Sequence, residues 1–378
     1  MSKKSNLVLA IVIILAIIGV GYVVSKNAAQ QANGPIKIGF ATPLTGDAAS
    51  WGLPVKRGAE IALDKINNEG GINGRKIELI FEDDKCDGKE GANIASKLIN
   101  VDKVSAIIGT ACSSVTLAMA PIVEQNKVLL LSAGASAPAI KDAGDYVFTI
   151  YPLDNYEAGT AVEFTYDQLG KKKAAVLYAN NDFGKGANEV INQRFLEKGG
   201  QVVITEAYTL GSKDFRTQLA KVKNSDADVL FIWGQPNEMV PILIQAKELG
   251  LSQQIITTLV DIETEDLKKA GPEIAEGVIY TSFKTPTTAN LDYLKGQYTE
   301  KYGKDLESLA DLGYDVAILI ADALKNGGAD AAKMKDYLYS VKDFPGASGN
   351  MSFDQYGTVI KEFEFKTVKN GQFVPYQQ

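Results

Sequence analysis

Histidine does not occur in this chain of 378 residues, and cysteine and tryptophan occur twice each. Without histidine there is no Ser-His-Asp or Cys-His nucleophile system, no imidazole base, and few ways to hold zinc or iron. Catalysis would have to run through carboxylates, lysine or magnesium, and no paired acid–base group stands out. Positive charge is in deficit. The 39 Lys and Arg against 46 Asp and Glu leave a net charge of −7, whereas a nucleic-acid partner asks for a basic face. Gly184-Lys185-Gly186 lacks the spacing of a Walker loop, and no G-x-G-x-x-G follows the first strand. The acidic run Glu82-Asp83-Asp84 with Asp87 lacks the residue order of a calcium loop and reads as solvated. No metal, cofactor or nucleic acid is expected, and no enzyme.

The chain does have the makings of a core. Apolar residues make up 46% and charged residues 22%, the mix of a globular protein, and the length suffices for two domains. Residues 7–24 are an uncharged apolar run, preceded by Lys3 and Lys4 and followed by Lys26. At about 1.5 Å per residue such a run just crosses a hydrocarbon core of about 30 Å. Residues 25–34 offer neither an A-x-A-like cleavage site nor a cysteine to take a lipid. Residues 1–35 are therefore read as a membrane anchor plus polar linker; a signal peptide cut at a poor site is the other reading. Both put the remainder on the extracytoplasmic side of the membrane. In an exported chain, Cys86 and Cys112 read as one disulfide, worth about 3 kcal/mol in the chain-entropy account. Two buried free thiols are the alternative.

From residue 36 onward, apolar runs of strand length alternate with amphipathic segments of helix length. Strands are expected over 36–41, 77–81, 104–109 and 128–131, and a second strand–helix series follows Tyr151-Pro152-Leu153-Asp154. Short connections between such elements mean parallel sheets flanked by helices. The helices expected over 291–341 have too few strands around them to form a core and must return to the first lobe. The expected architecture is α/β with two lobes, more than one crossing between them, and a ligand cleft in the middle. Residues 36–151 and 282–351 are assigned to lobe 1, and 152–281 and 352–378 to lobe 2.

Ligands in open α/β sheets sit beyond the carboxyl ends of the strands. Around 104–138 those ends carry Cys112, Ser113 and Ser114 in one loop, and Ser132, Gly134, Ala135 and Ser136 in the next. Hydroxyls and free N–H groups at a helix start suit an anion such as a carboxylate; a plain helix cap by Ser113 or Ser114 is the competing reading. Trp51 and Phe183 occupy matching loops in the two halves, as cleft walls or as surface caps. Gln235 and Asn237 follow a strand ending in Trp233, with Asn237 also suited to capping the next helix. Asp261 is a candidate counter-ion for an amine, or a solvated loop carboxylate.

These stretches together resemble the leucine/isoleucine/valine-binding type of extracellular solute-binding protein that serves ABC transporters. The resemblance rests on IKIGFATPLTGDAASWG, GAEIALDKINNEGGINGRKIELIFEDDKCD, IIGTACSSVT, SAGASAPAI, NNDFGKG, KDFRTQLAKVKNSDADVLFIWG and SFDQYGT, in that order, across nearly all of the chain after residue 35. It implies a type I periplasmic-binding-protein fold with three crossovers, a monomer without cofactors, and a permease with its ATPase as partners. It also implies that Ser113 and Ser136 hold a ligand carboxylate and that the Gly134 carbonyl receives its amine. Trp51 and Phe183 fall at side walls, with Tyr314 at a further wall position. Two positions depart from the pattern: Gln235 stands where an aromatic residue is common, and the acidic amine partner aligns with Leu259 unless a local shift brings in Asp261. The implied ligand is a branched-chain or other aliphatic amino acid, with amides and aromatic acids as alternatives. A ligand-sensing ectodomain is the rival role, although a receptor subunit would continue into an intracellular module.

Overall fold

The computed structural model describes residues 34–284 and 286–377; the apolar run 7–24 lies outside them. Among the described residues no helix is long and apolar enough to cross a membrane.

The first lobe is a parallel sheet in the order β2-β1-β3-β4-β5. Its elements in chain order are β1 (Ile36–Thr42), α1 (Ala49–Asn68), β2 (Ile77–Asp83), α2 (Gly88–Lys97), β3 (Ala106–Ile108), α3 (Ser113–Asn126), β4 (Leu129–Ser132) and β5 (Val147–Thr149). Phe40 pairs with Phe81 on one side and Ile108 on the other. Ile38, Phe40, Ile107 and Leu130 have no exposed surface, which is why these strands read as unbroken apolar runs.

The second lobe begins with α4 (Asp154–Glu163) and continues through β6 (Lys173–Ala179), α5 (Asp182–Glu197), β7 (Gln201–Tyr208), α6 (Arg216–Lys223), β8 (Val229–Trp233) and α7 (Pro236–Leu249). Then come β9 (Gln254–Thr258), the short helices α8 (Leu259–Ile262) and α9 (Glu265–Ala270), and β10 (Ile279–Phe283). The chain returns to the first lobe with α10 (Ala289–Tyr302), α11 (Ala310–Gly327), α12 (Ala331–Ser340) and the ribbon of β11 (Phe344–Gly346) with β12 (Gly349–Met351). It ends on the second sheet with β13 (Phe363–Lys369) and β14 (Gln372–Pro375), both antiparallel additions, giving the order β14-β13-β10-β9-β8-β6-β7. The chain thus passes between lobes three times: before α4, after β10 and after β12.

One packing contact decides where the site is. Helices α1 and α11 meet backbone to backbone, because Gly58 and Gly313 lie at the contact. A Cβ on Gly58 would overlap the Ala310 carbonyl, and one on Gly313 would overlap that of Val55. This approach brings Val55 and the start of α11 to the mouth of the first sheet.

Candidate functional site

The ends of β3 and β4 are joined by serine hydroxyls. Ser132 Oγ donates to the Thr110 carbonyl at 2.6 Å and accepts from the Ala135 N–H at 2.9 Å, so it serves the loops themselves. Ser113 Oγ accepts from the N–H groups of Ser136 and Ala137, each at 3.1 Å. With its lone pairs engaged, the Ser113 hydroxyl keeps a proton to donate into the cleft. Cys112, not a serine, is the N-cap of α3, and no side chain caps the helix. Ser113 and Ser114 therefore supply the first, unpaired N–H groups of the helix, and both line the cavity; the capping role expected of Ser114 is not found. Cys86 and Cys112 form a disulfide, and both border the same cavity.

Ser136 is held from the other side. Its Oγ lies 3.3 Å from Asp154 Oδ2, and Asp154 Oδ1 accepts from Trp233 Nε1 at 3.4 Å. Asp154 and Asp261 are fully buried and Glu157 is 1% exposed. Burial pushes the carboxyl of Glu157 up to about 7, against the Thr281 and Tyr151 hydroxyls that favour its charge. Burial likewise pushes Asp261 up to about 7, against the Gly234 N–H and the Thr257 hydroxyl. Asp154 is raised by burial and then by its neighbour Glu157.

A cavity lies between the lobes, and the space free of atoms there, open solvent included, amounts to about 550 Å³. Trp51 and Phe183 face each other across it, edge to face with ring centroids 6.1 Å apart. Three polar contacts join the lobes around it. Trp51 Nε1 donates to the Val260 carbonyl at 2.8 Å, Gln235 Nε2 to Cys86 Sγ at 3.4 Å, and Asn237 Nδ2 to Asp47 Oδ1 at 2.9 Å. Asn237 does not cap α7, whose N-cap is Gln235. Among the described residues, none of those lining the cavity is Lys, Arg, Asp or Glu.

Of the positions expected from sequence, Trp51, Cys112, Ser113, Gly134, Ser136, Phe183 and Gln235 line this one cavity. Ala135 stands just behind, fully buried beside Ala137, Ile140 and Leu153. Asp261 is no exposed loop residue: it lies in α8, one step behind the lining residue Val260. Its Oδ2 accepts from the Gly234 N–H at 3.2 Å and the Thr257 hydroxyl at 3.0 Å, and its buried Oδ1 has no hydrogen-bond partner among the described residues. Tyr314 is not a wall. It is buried between helices, its hydroxyl 3.1 Å from Asn290 Oδ1 and 3.3 Å from Lys65 Nζ. The acidic loop is also corrected: Asp84 is buried, its Oδ1 accepting from the Cys86 N–H at 2.8 Å.

Val55, Tyr151, Asn181, Leu309 and Leu312 line the cavity without having been expected there. Val55 is signalled by its place one turn after Trp51 on α1, and Asn181 by its place before Phe183. Leu309 carried no signal. It takes a left-handed conformation, φ 69°, at a cost of about 1 kcal/mol for a residue with a Cβ.

The family model described as periplasmic binding protein matches residues 35–372. A leucine-, isoleucine-, valine-, threonine- and alanine-binding protein of Pseudomonas aeruginosa is 29% identical, the match covering 89% of this chain and 90% of the relative. The crystal structure of a leucine-binding protein from Thermotoga maritima superimposes with a TM-score of 0.84 at 29% identity, over 90% of this chain and 98% of that one. A branched-chain amino-acid transporter substrate-binding protein from Streptococcus pneumoniae, in complex with isoleucine, gives 0.81 at 31% identity, over 90% and 97%. The chain belongs to the periplasmic binding protein family, the solute-binding components of ABC transporters, which are not enzymes.

Proposed function

We propose that this protein captures a zwitterionic aliphatic amino acid outside the cytoplasm and presents it to an ABC permease. The observation that carries the reading is the polarity of the cavity. Val55, Val260, Leu309 and Leu312, with the rings of Trp51 and Phe183, supply its apolar lining. Its polar lining includes Ser113, which has a proton to donate, and the unpaired first N–H groups of α3, with the buried carboxyl of Asp261 one residue behind Val260.

In this reading the ligand carboxylate takes the Ser113 hydroxyl and the N–H groups at the start of α3, where the helix dipole favours negative charge. The ammonium faces Ser136, the Gly134 carbonyl and the charge of Asp261. Ser136 thus moves from the carboxylate to the ammonium, because its hydroxyl is engaged by Asp154. An ammonium beside Asp261 also favours its ionised form and offsets burial. Leucine-binding and branched-chain-binding proteins among the relatives support the same class.

Thermal-shift and calorimetric titration against leucine, isoleucine and valine, with aliphatic amides and benzoate alongside, test the reading, since a ligand of the folded state raises the melting point. The three amino acids are expected to bind. If all three fail while an amide or an aromatic acid succeeds, the ligand class is wrong.

A further inference from the structure

Each of the three passages between lobes contributes one aromatic ring to a single row. Tyr151, just before α4, meets Phe283 at the end of β10 edge to face, with ring centroids 5.1 Å apart. Phe283 in turn lies 5.3 Å from Phe363 at the start of β13. These two are the last rung of the β10–β13 ladder, where side chains directly opposite interact. One end of the row reaches the ligand site, because Tyr151 lines the cavity. Its hydroxyl donates to Glu157 at 3.1 Å, and Glu157 also accepts from the Thr281 hydroxyl at 2.6 Å, two residues before Phe283. The row is fastened to the second lobe.

Phe283 also meets the first lobe. Lys361 Nζ stands 5.1 Å from the centroid of its ring, within the range of a cation–π contact. Although it follows β12, Lys361 is held by the first lobe. Gly357 still accepts from the Thr149 N–H of β5 at 2.9 Å, and Lys361 Nζ donates to Ser348 Oγ at 2.6 Å. Ser348, between β11 and β12, donates from its hydroxyl to Asp315 of α11 at 2.5 Å, and the same carboxyl accepts from the Ala347 and Ser348 N–H groups. Burial lowers the pKa of Lys361, while Asp315 and Asp311 raise it, so the ammonium has counter-charges at hand. Only Glu362 separates Lys361 from Phe363, and its ion pair with Lys284 is exposed on both sides and contributes little. When the lobes rotate, the rings travel with the second lobe and the ammonium with the first. The contact that must change at the hinge is Lys361 on Phe283.

We propose that Phe283 is a positioning residue for ligand capture, which packs behind Tyr151 and takes the Lys361 cation, so that a filled cavity favours the closed hinge. A ligand resting on Tyr151 steadies the row in the register that seats Lys361 over Phe283. Occupancy then has a differential contact with the two arrangements, as any ligand-driven closure requires. The inference goes beyond the amino-acid reading and does not depend on the ligand's class.

The test is a double-mutant cycle on the full chain, read as leucine release by stopped-flow fluorescence. Phe283→Leu removes the ring, and Lys361→Met removes the charge while keeping the stem. Each is expected to speed release about fivefold, and the double variant also about fivefold, because all three delete one contact. Phe283→Tyr restores a ring and is expected to bring release back to within about twofold of wild type. Rates that multiply in the double variant, or single variants that release leucine like wild type, overturn the coupling. A purely structural role would lower melting points without moving release. Should Lys361→Met fail to fold, Phe283→Leu against Phe283→Tyr decides alone, and equal acceleration in both overturns the role of the ring. A wild type that does not bind leucine overturns the amino-acid reading by itself, and small-angle scattering without ligand then decides the hinge. A larger radius of gyration in Phe283→Leu than in wild type and Phe283→Tyr supports the contact, and an unchanged one overturns it.

Discussion

In the first lobe the cleft wall combines backbone, at the start of α3 and in the loop after β4, with the disulfide and the side chains of Trp51, Val55, Leu309 and Leu312. In the second lobe the wall is side chains, Phe183, Gln235 and Val260, with Asp261 one layer behind. The first wall is braced within its own lobe. Ser113 is fixed by two N–H groups of the neighbouring loop, and α1 is locked to α11 through two glycines. The second wall is braced by contacts made across the cleft, from Trp51 to Val260, Gln235 to Cys86 and Asn237 to Asp47. A wall fixed beforehand loses little entropy on binding, whereas one completed by closure couples ligand contacts to domain movement. The first lobe is therefore suited to offer the ligand a site fixed beforehand, and the second to couple its arrival to closure.

The largest test of that contrast is Gly313→Ala. Its methyl would overlap the Val55 carbonyl, and overpacking on this scale costs about 3 kcal/mol. A melting point close to wild type would show that the first wall does not depend on the helix contact. Next comes Ser113→Ala, which removes a donor to the ligand and strands the N–H groups of Ser136 and Ala137. A loss of about 2–3 kcal/mol, roughly 100-fold in leucine affinity, is expected by calorimetry. A loss of a few fold would move the carboxylate away from α3.

Asp261→Asn probes the second wall and should weaken leucine about tenfold. Its pH dependence follows from the sign of the shift. The carboxyl is pushed up to about 7 in the folded protein, so below that pH it holds a proton that an ammonium must displace. Leucine affinity should rise from about pH 5, level off above about 7, and respond less to pH in the variant. A wild-type profile as flat as the variant's would remove Asp261 from the site. The smallest effect belongs to Trp51→Phe, which keeps an aromatic ring but deletes the hydrogen bond to Val260. It should cost about 1 kcal/mol, or roughly fivefold in affinity, chiefly as faster release in stopped-flow fluorescence. Unchanged release would mean that this contact does not hold the lobes together.

Much of the first wall was readable in the sequence because it follows from strand order. Loops at the carboxyl ends of adjacent parallel strands must converge, and Ser113, Gly134 and Ser136 stand in two such loops. Leu309 and Leu312 were invisible for the opposite reason. They reach the cavity through a helix contact with α1, far away in the chain, and no local pattern records it. Tyr314 was placed at a wall by the resemblance alone, and α11, buried on nearly every side from Ala310 through Ala317, has no apolar pattern that would have revealed which face meets the cleft. Asp84 misled by its chemistry: an acidic residue in a turn-rich stretch reads as solvated, yet it is fully covered, and of the two readings of Asp261 the solvated one falls for the same reason. The apolar run 7–24 and its expected anchoring lie outside the described residues.

The route of the chain has a consequence for how the molecule assembles. Helix α11, which covers α1, follows the whole strand–helix series of the second lobe, and β13 joins β10 only after the ribbon of β11 and β12. Neither lobe can finish its packing during synthesis until most of the chain has emerged. Contacts between such distant segments make for slow folding. Because each lobe is completed only by segments that follow the other in the chain, the two are expected to melt as one cooperative unit.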